Sequence, residues 1–385
     1  MKEFVLACRY FTVAIPNNLL DGYGQIGNSR FKVKSYAAFG EVNYDFTQRL
    51  TATIGLRYTY EDKEGTYATQ VFGGADLTGL PTATAAELNR AKLSIFRPQA
   101  YTAADDGGSL SGRTNLAYTF KEGLMAYLSY AYGYKSGGLN MSGLPLDAAN
   151  QPTLATAVID DEKNTTYEVG FKSKWFDNRA TLNLAGYWTV VENYQANIVS
   201  STETAAIRSY AANIPQVRVR GVEADSAALL FKGFTLRASL AYANGKNTDY
   251  PAGPCPLELQ TAATVACNLT GVPLAGLSKW SGTLGFDYEM PLGPGAFLIR
   301  ADSNTRSGYN SDTSASKYTW IGGYNVTNAS VGYRFNKSWE VDVFARNLFN
   351  TEYLTALTIQ TGNSGLILGQ PGDQRLVGMT LRAKF

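Results

Sequence analysis

Leu50-Thr-Ala-Thr-Ile-Gly-Leu-Arg-Tyr-Thr-Tyr-Glu61 alternates in polarity with a period of two. Leu50, Ala52, Ile54, Leu56, Tyr58 and Tyr60 fall on one face, and Thr51, Thr53, Gly55, Arg57, Thr59 and Glu61 on the other. A helix would scatter these apolar side chains around its circumference, whereas a strand collects them on one side. The pattern recurs outward from this segment. Tyr36, Ala38, Val42, Tyr44 and Phe46 oppose Glu41, Asn43 and Asp45; Leu124, Leu128, Tyr130 and Tyr132 oppose Ser129 and Gly133. Tyr167, Val169, Phe171 and Trp175 oppose Glu168, Lys172 and Lys174, and Leu182, Leu184 and Trp188 oppose Asn183 and Thr189. Trp339, Val341 and Val343 oppose Glu340 and Asp342, and a last strand sets Val377, Met379, Leu381, Ala383 and Phe385 against Thr380, Arg382 and Lys384. About thirteen strands follow from residue 33 onward, well above the usual sheet of about 4–6.

Connections alternate between short and long. The short ones are Thr47-Gln48, Lys121–Gly123, Asp177-Asn178, Lys232-Gly233, Pro291–Gly295 and Asn336-Lys337. The long ones are expected over 63–109, 136–162, 196–214, 246–276, 307–320 and 351–370. Hairpins that turn tightly at one end and open into large loops at the other have the asymmetry of a transmembrane β-barrel, with short periplasmic turns and long extracellular loops. Tyr58, Tyr60, Tyr130 to Tyr134, Trp175, Trp188 and Trp339 gather at strand ends, where amphipathic rings meet two membrane–water interfaces. A soluble β-sandwich would spread its aromatics by core packing. A propeller would repeat motifs at fixed spacing, and none is visible. The fold class is therefore all-β, an antiparallel transmembrane β-barrel.

Composition narrows the function. The 385 residues carry 34 Lys+Arg against 32 Asp+Glu, a net charge of +2 that offers nucleic acid no basic excess. Charged residues make up 17%, below the roughly 25% of soluble domains. His is absent, which removes Ser-His-Asp triads, His-ligated zinc and an axial haem histidine. With no nucleophile elbow either, no enzyme, cofactor or metal site is expected. No stretch has the ~18 consecutive apolar residues of a membrane helix. Residues 1–32 read as a cut or misassigned start, holding a possible strand at 4–15 and a loop; the apolar segment before Cys8 is too short for a secretory signal.

Particular strings resemble TonB-dependent outer-membrane receptors. Gly133-Tyr-Lys-Ser-Gly-Gly-Leu-Asn140 is similar to a strand-to-loop signature of that family, as is Tyr167-Glu-Val-Gly-Phe-Lys-Ser173 with the Trp-Phe-Asp-Asn-Arg that follows. The hairpin of 36–46 with 50–61 resembles its mid-barrel region, and Arg346-Asn-Leu-Phe-Asn-Thr-Glu-Tyr353 its penultimate-strand motif. The terminal Phe385 matches the signal read by the barrel assembly machinery. The resemblance covers residues 33–385. It implies a Gram-negative outer-membrane location and a 22-stranded barrel of which this chain supplies about 13–14 strands. It also implies an N-terminal plug coupling to the TonB complex, and import of a ferric siderophore or similar scarce nutrient. A closed 14-stranded diffusion porin is the alternative, since an even strand number can close.

On this reading Glu41, Glu168, Lys172, Arg300, Asp302, Glu340 and Asp342 form ion-pair ladders in the lumen. Arg57, Arg113, Lys135, Arg306 and Arg346 lie nearer the extracellular mouth, where basic groups attract an anionic chelate. Tyr309, Tyr318 and Trp320 stand in or beside the long loops, placed to stack on an aromatic chelator. Arg218 and Arg220 share a face with Val222 and Ala224 near an extracellular end, which suits anionic lipid or lipopolysaccharide headgroups better than substrate. Cys255 and Cys267 are expected to form a disulfide in an oxidising exterior, leaving Cys8 over. Phe96-Arg97-Pro98 resembles a haem-receptor box, but without histidine haem transport is not expected.

Overall fold

The computed structural model describes residues 13–145, 151–199, 209–260, 266–335, 338–359 and 366–383. The possible strand at 4–15 falls largely, and Cys8, the turn Asn336-Lys337 and Phe385 entirely, outside the described residues. One antiparallel sheet of 13 strands dominates, each strand paired with its neighbour in sequence. Its strands are β1 (Gly24–Asp45), β2 (Leu50–Phe72), β3 (Ala100–Lys121), β4 (Leu124–Lys135), β5 (Glu162–Trp175), β6 (Ala180–Val199) and β7 (Ser209–Phe231). The sheet continues with β8 (Phe234–Asp249), β9 (Trp280–Leu292), β10 (Gly295–Arg306), β11 (Tyr324–Phe335), β12 (Trp339–Arg346) and β13 (Leu376–Ala383). The order is an uninterrupted meander with β1 and β13 at its edges, so the sheet is not closed.

Among the described residues the short turns fall where the sequence puts them. Gly123 and Gly233 hold φ of 75° and 83°, in the left-handed region that glycine alone adopts without strain, so β3–β4 and β7–β8 close tightly. Strand lengths differ from expectation. β2 runs to Phe72 and β3 starts at Ala100, so both ends of 63–109 are sheet and the connection shrinks to 73–99. That connection holds one helix, α1 (Thr82–Ile95), whose Leu88 and Ala91 pack on Leu19. β1 begins at Gly24, ahead of residue 33. β6 and β7 likewise extend to Val199 and from Ser209, into what reads as a loop over 196–214.

The cause is an inversion of polarity along the strand. A membrane crossing takes about 9–11 tilted residues, and β2 has 23. Within the crossing, Ile54, Leu56 and Tyr58 point outward and stay exposed to lipid. Past Glu61 the inward residues Lys63, Tyr67 and Thr69 become the buried ones, while Glu64, Thr66, Ala68 and Gln70 face out. Water on the outside and a folded loop on the inside reverse the pattern without ending the strand.

Aromatic rings mark both interfaces. Beside the short turns Tyr44 meets Phe46, Tyr118 meets Phe120 and Tyr333 meets Phe335 edge-on at 4.6–5.0 Å between centroids. Toward the loops Tyr130 lies opposite Tyr167, Tyr167 opposite Trp188, and Tyr242 opposite Trp280. Neighbouring positions on β6 test the assignment. Leu184→Arg, facing lipid, is expected to cost about 2–4 kcal/mol, read as loss of the heat-modifiable folded band on gels. Asn183→Arg, facing the lumen beside Lys172 and Asp225, should leave that band nearly unchanged.

Candidate functional site

The inner wall carries charge in register. Arg300 reaches Asp287, Glu340 and Asp342 at 3.6–3.8 Å, and Arg382 reaches Glu340 and Asp342 at 2.8 and 2.7 Å. Arg334 pairs with Glu289 and Glu340 at 3.0 Å. Other lumen groups are held differently. Glu168 accepts from the Tyr127 hydroxyl at 2.5 Å, Lys172 lies over the Tyr127 ring, and Asp302 accepts from the Asn304 and Asn328 amides at 2.7 and 2.9 Å.

Above this wall the long loops fold inward. The β4–β5 connection buries Leu144 and Ala157 against Tyr67, Tyr101 and Ala103. Polar contacts fix the same loop. Gln99 exchanges two hydrogen bonds of 2.8 Å with the Leu144 backbone. The Asn140 amide nitrogen donates to the Thr156 and Ala211 carbonyls at 2.6 and 2.8 Å, while its oxygen accepts from Ala211 N at 3.0 Å. The β8–β9 loop, joined by the Cys255–Cys267 disulfide with Cα atoms 4.9 Å apart, covers Val191, Ile214 and Val217 with Tyr250 and Leu269. Glu258 ties it to the β10–β11 loop, accepting from Ser316 Oγ at 2.6 Å and Lys317 N at 2.9 Å. The Tyr309 hydroxyl then donates to the Thr355 carbonyl at 2.8 Å.

The sequence-derived binding candidates separate into held and open residues. Arg113 crosses β2 to Glu41, 2.6 Å away, over Gly55, where a Cβ would come within 3.1 Å of the Glu41 carboxylate. Arg306 donates to Ser278 Oγ at 2.9 Å and the Gly276 carbonyl at 3.2 Å, with its guanidinium carbon 4.1 Å from the Tyr309 ring centroid. Tyr309 itself is buried. Trp320, in a short ladder with Asn310, is 57% exposed. Arg306, Tyr309 and Trp320 thus share one loop cluster. Arg57 lies over the lumen-facing Phe39, 5.4 Å from the ring centroid, and donates from Nε to Thr59 Oγ1 at 3.1 Å. It forms no ion pair among the described residues. Arg57 and Arg113 are diagonal neighbours across β2 and β3. Lys135 at the end of β4 and Arg346 at the end of β12 stand apart from both groups, each exposed.

One polar cavity was not foreseen. β3 and β4 part above their last pair, Gly112 with Tyr132, and the wedge between them holds about 400 Å³ lined by Glu61, Lys63, Asp105, Ser109, Ser136 and Asp161 among others. Lys63 is buried there, 3.0 Å from Glu61 and 3.7 Å from Asp105. Ser109 donates to Asp161 at 2.5 Å, and so does Gly137 N at 2.6 Å. The signal was the dense polar run Glu61-Asp-Lys-Glu64 facing Asp105-Asp106, which reads as loop unless both segments are placed on paired strands.

Electrostatics in the roof follow burial. Burial pushes the Tyr250 hydroxyl up to about 12. It also raises Tyr309, against the opposing pull of Arg306. At Glu258 burial acts upward, but the Ser316 hydroxyl and Lys317 N–H hold the carboxylate below its ordinary value of 4.5. A depressed acid stabilises the folded roof above its unfolded pKa and loses that contribution as pH falls through its folded value. The Lys317 amide should therefore be protected from hydrogen exchange at pH 7 and lose protection only in acid, below the ordinary glutamate range, and Glu258→Gln should remove this pH dependence.

A family model for the TonB dependent receptor-like β-barrel matches residues 8–348. The chain is 23% identical over 354 residues to the ferric-pyoverdine M114 receptor PbuA of Pseudomonas sp. (strain M114), covering 92% of this chain and 36% of that protein. It is 23% identical over 288 residues to the catecholate siderophore receptor Fiu of Escherichia coli (strain K12), covering 73% of this chain and 33% of that protein. The crystal structure of the ferric yersiniabactin uptake receptor FyuA from Yersinia pestis superposes with a TM-score of 0.71 at 17% identity, covering 94% of this chain and 47% of that one. The siderophore receptor PiuA from Acinetobacter baumannii superposes at 0.63 and 18% identity, covering 92% and 43%. The chain spans about a third of the length of these curated relatives and under half of these solved structures. By fold and by family match alike, this outer-membrane chain belongs to the TonB-dependent receptor β-barrel family.

Proposed function

We propose that the chain forms the C-terminal part of the barrel of a receptor that imports a ferric siderophore, energised by the TonB complex through a plug domain. The observation that carries this reading is the roof. The long loops are fixed against the inner wall by Asn140 and to one another by Glu258, which supports a receptor that holds its loops in place around a cargo, rather than a pore left clear for free diffusion. The unpaired edges of β1 and β13 fit a barrel completed by further strands, because hydrocarbon does not tolerate open edges.

Within that reading the open cations are the direct contacts. Arg57 offers its free N–H groups beside the exposed face of Phe39, and Trp320, Lys135 and Arg346 supply a ring and charge at other points of the mouth. Arg113, Arg306 and Tyr309 hold the wall and loops that position them. A ferric chelate combines anionic oxygens with flat ligand arms, and a guanidinium–aromatic pair meets both.

Uptake of radioactive iron by cells carrying the intact receptor tests the proposal. Collapsing the proton-motive force should abolish uptake of the cognate chelate; undiminished uptake would favour a passive pore. Arg57→Ala should weaken chelate binding by about tenfold, the loss of one charge-assisted contact, with barrel folding unchanged on heat-modifiability gels.

A further inference from the structure

The roof contains separate cores. Leu144 and Ala157 of the β4–β5 loop pack with Tyr67, Tyr101 and Ala103 on the upper ends of β2 and β3. Val191, Ile214 and Val217, on the upper ends of β6 and β7, pack with Tyr250 and Leu269. Among the described residues the two cores share no member. The second core is also cross-linked. The Cys255–Cys267 disulfide closes the β8–β9 loop, and Gly253 and Cys267 exchange backbone hydrogen bonds of 2.8 and 2.9 Å. Leu269 N donates to the Tyr250 carbonyl at 2.8 Å, and Asn247 N to the Val272 carbonyl at 3.0 Å. The ends of β6 and β7 and the β8–β9 loop therefore make one apolar, cross-linked panel.

The borders of this panel are polar. Toward the β4–β5 loop, side-chain amides make the contact. Asn140 donates to the Ala211 carbonyl at 2.8 Å and accepts from Ala211 N at 3.0 Å. Asn213 answers from the panel side, donating to the Asp160 carbonyl at 3.0 Å and accepting from Asp160 N at 2.9 Å. Each amide stands in for a peptide unit and makes the two-bond exchange of an antiparallel strand pair. Gln195 Nε2 adds the Ser136 and Asp160 carbonyls at 3.0 and 3.1 Å. Toward the β10–β11 loop the border is Glu258, with Ser316 and Lys317. Bonds of this kind exchange for bonds to water at small net cost, whereas splitting an apolar core exposes it to water.

We propose that this panel moves as one rigid unit, parting from its neighbours along the amide seam and the Glu258 clasp while its own core stays closed. Asn140, Gln195 and Asn213 are positioning residues, which fix where the panel rests against the β4–β5 loop. The seam holds two loop regions in strand-like register without joining them into one core, so it separates without unfolding either. That the moving panel admits a cargo rests on the import reading; its motion as a unit does not.

The test uses the intact receptor in lipid nanodiscs, with Cys8 replaced by Ser and nitroxide labels on introduced cysteines read by double electron–electron resonance. Leu154 in the β4–β5 loop and Leu259 in the panel are both exposed, and a label pair there spans the seam. Asn197 is exposed on β6, and a pair with 259 stays within the panel. Asn140→Leu with Asn213→Leu should shift the 154–259 distances to longer, broader values and leave the 197–259 distances unchanged. The unaltered protein supplies a second readout by hydrogen exchange. The border amides of Ala211 and Asp160 should exchange on the order of tenfold faster than the interior amides of Leu269 and Cys267. Unchanged 154–259 distances in the leucine variant, an equal shift of both pairs, or interior amides exchanging as fast as border ones overturns the proposal. Both readouts are taken without an iron chelate, so failure of the import reading would leave them standing.

Discussion

A hydrocarbon layer offers no hydrogen bonds, so every backbone N–H and C=O crossing it must be satisfied by a neighbouring strand. The rest of this structure depends on that constraint. It forces the sheet, and the sheet's pleat sends alternate side chains to opposite sides. Lipid then takes the apolar set, Ile54, Leu56 and Leu184 among them, and the lumen takes Glu41, Glu168 and Arg300. The charges inside are not free to bind whatever enters. Most neutralise one another across strands, as Arg300 does with Glu340 and with the buried Asp342. Their effect is to make a polar wall compatible with a buried plug or a water-filled space.

How much of this was legible in the sequence depended on what the residues face. Where lipid lies on one side and water or polar groups on the other, as at 50–61, the alternation identifies strand and face directly. Beyond Glu61 the two surroundings exchange. Tyr67 turns inward to meet Tyr101 and Leu144, and the outward positions become polar, so a reading that expects apolar residues outside ends the strand too early. The same exchange hid Val191 and Val217, whose inward faces are covered by the β8–β9 loop.

The candidate site was partly legible for a related reason. Residue type and approximate height nominated Arg57, Arg113 and Arg306 together, but only register separates them. Gly55 leaves the gap through which Arg113 reaches Glu41, and the fold of the 276–278 segment occupies Arg306. Arg57 has Thr59 and Phe39 as neighbours and no acid. The wedge around Lys63 left only the polar runs at 61–64 and 105–106 as a trace in the sequence, because it exists where two strands adjacent in sequence stop pairing. Arg218 and Arg220, by contrast, were assigned to the lipid side from alternation alone, and the shared Trp188 ring supplies the geometry that the pattern lacked.

Polarity inverts along a continuous strand whose alternation is unbroken, and spin-label accessibility along β2 reads that inversion residue by residue. Labels at successive positions from 54 to 69 would be read for collisions with oxygen, which partitions into lipid, and with a water-soluble nickel complex. Oxygen maxima are expected at 54, 56 and 58 and should vanish above Glu61, with 67 and 69 shielded from both reagents and 66 and 68 open to the nickel complex. A two-residue oxygen pattern that continues unchanged through 69, or nickel access at 67 and 69 equal to that at 66 and 68, would contradict the inversion.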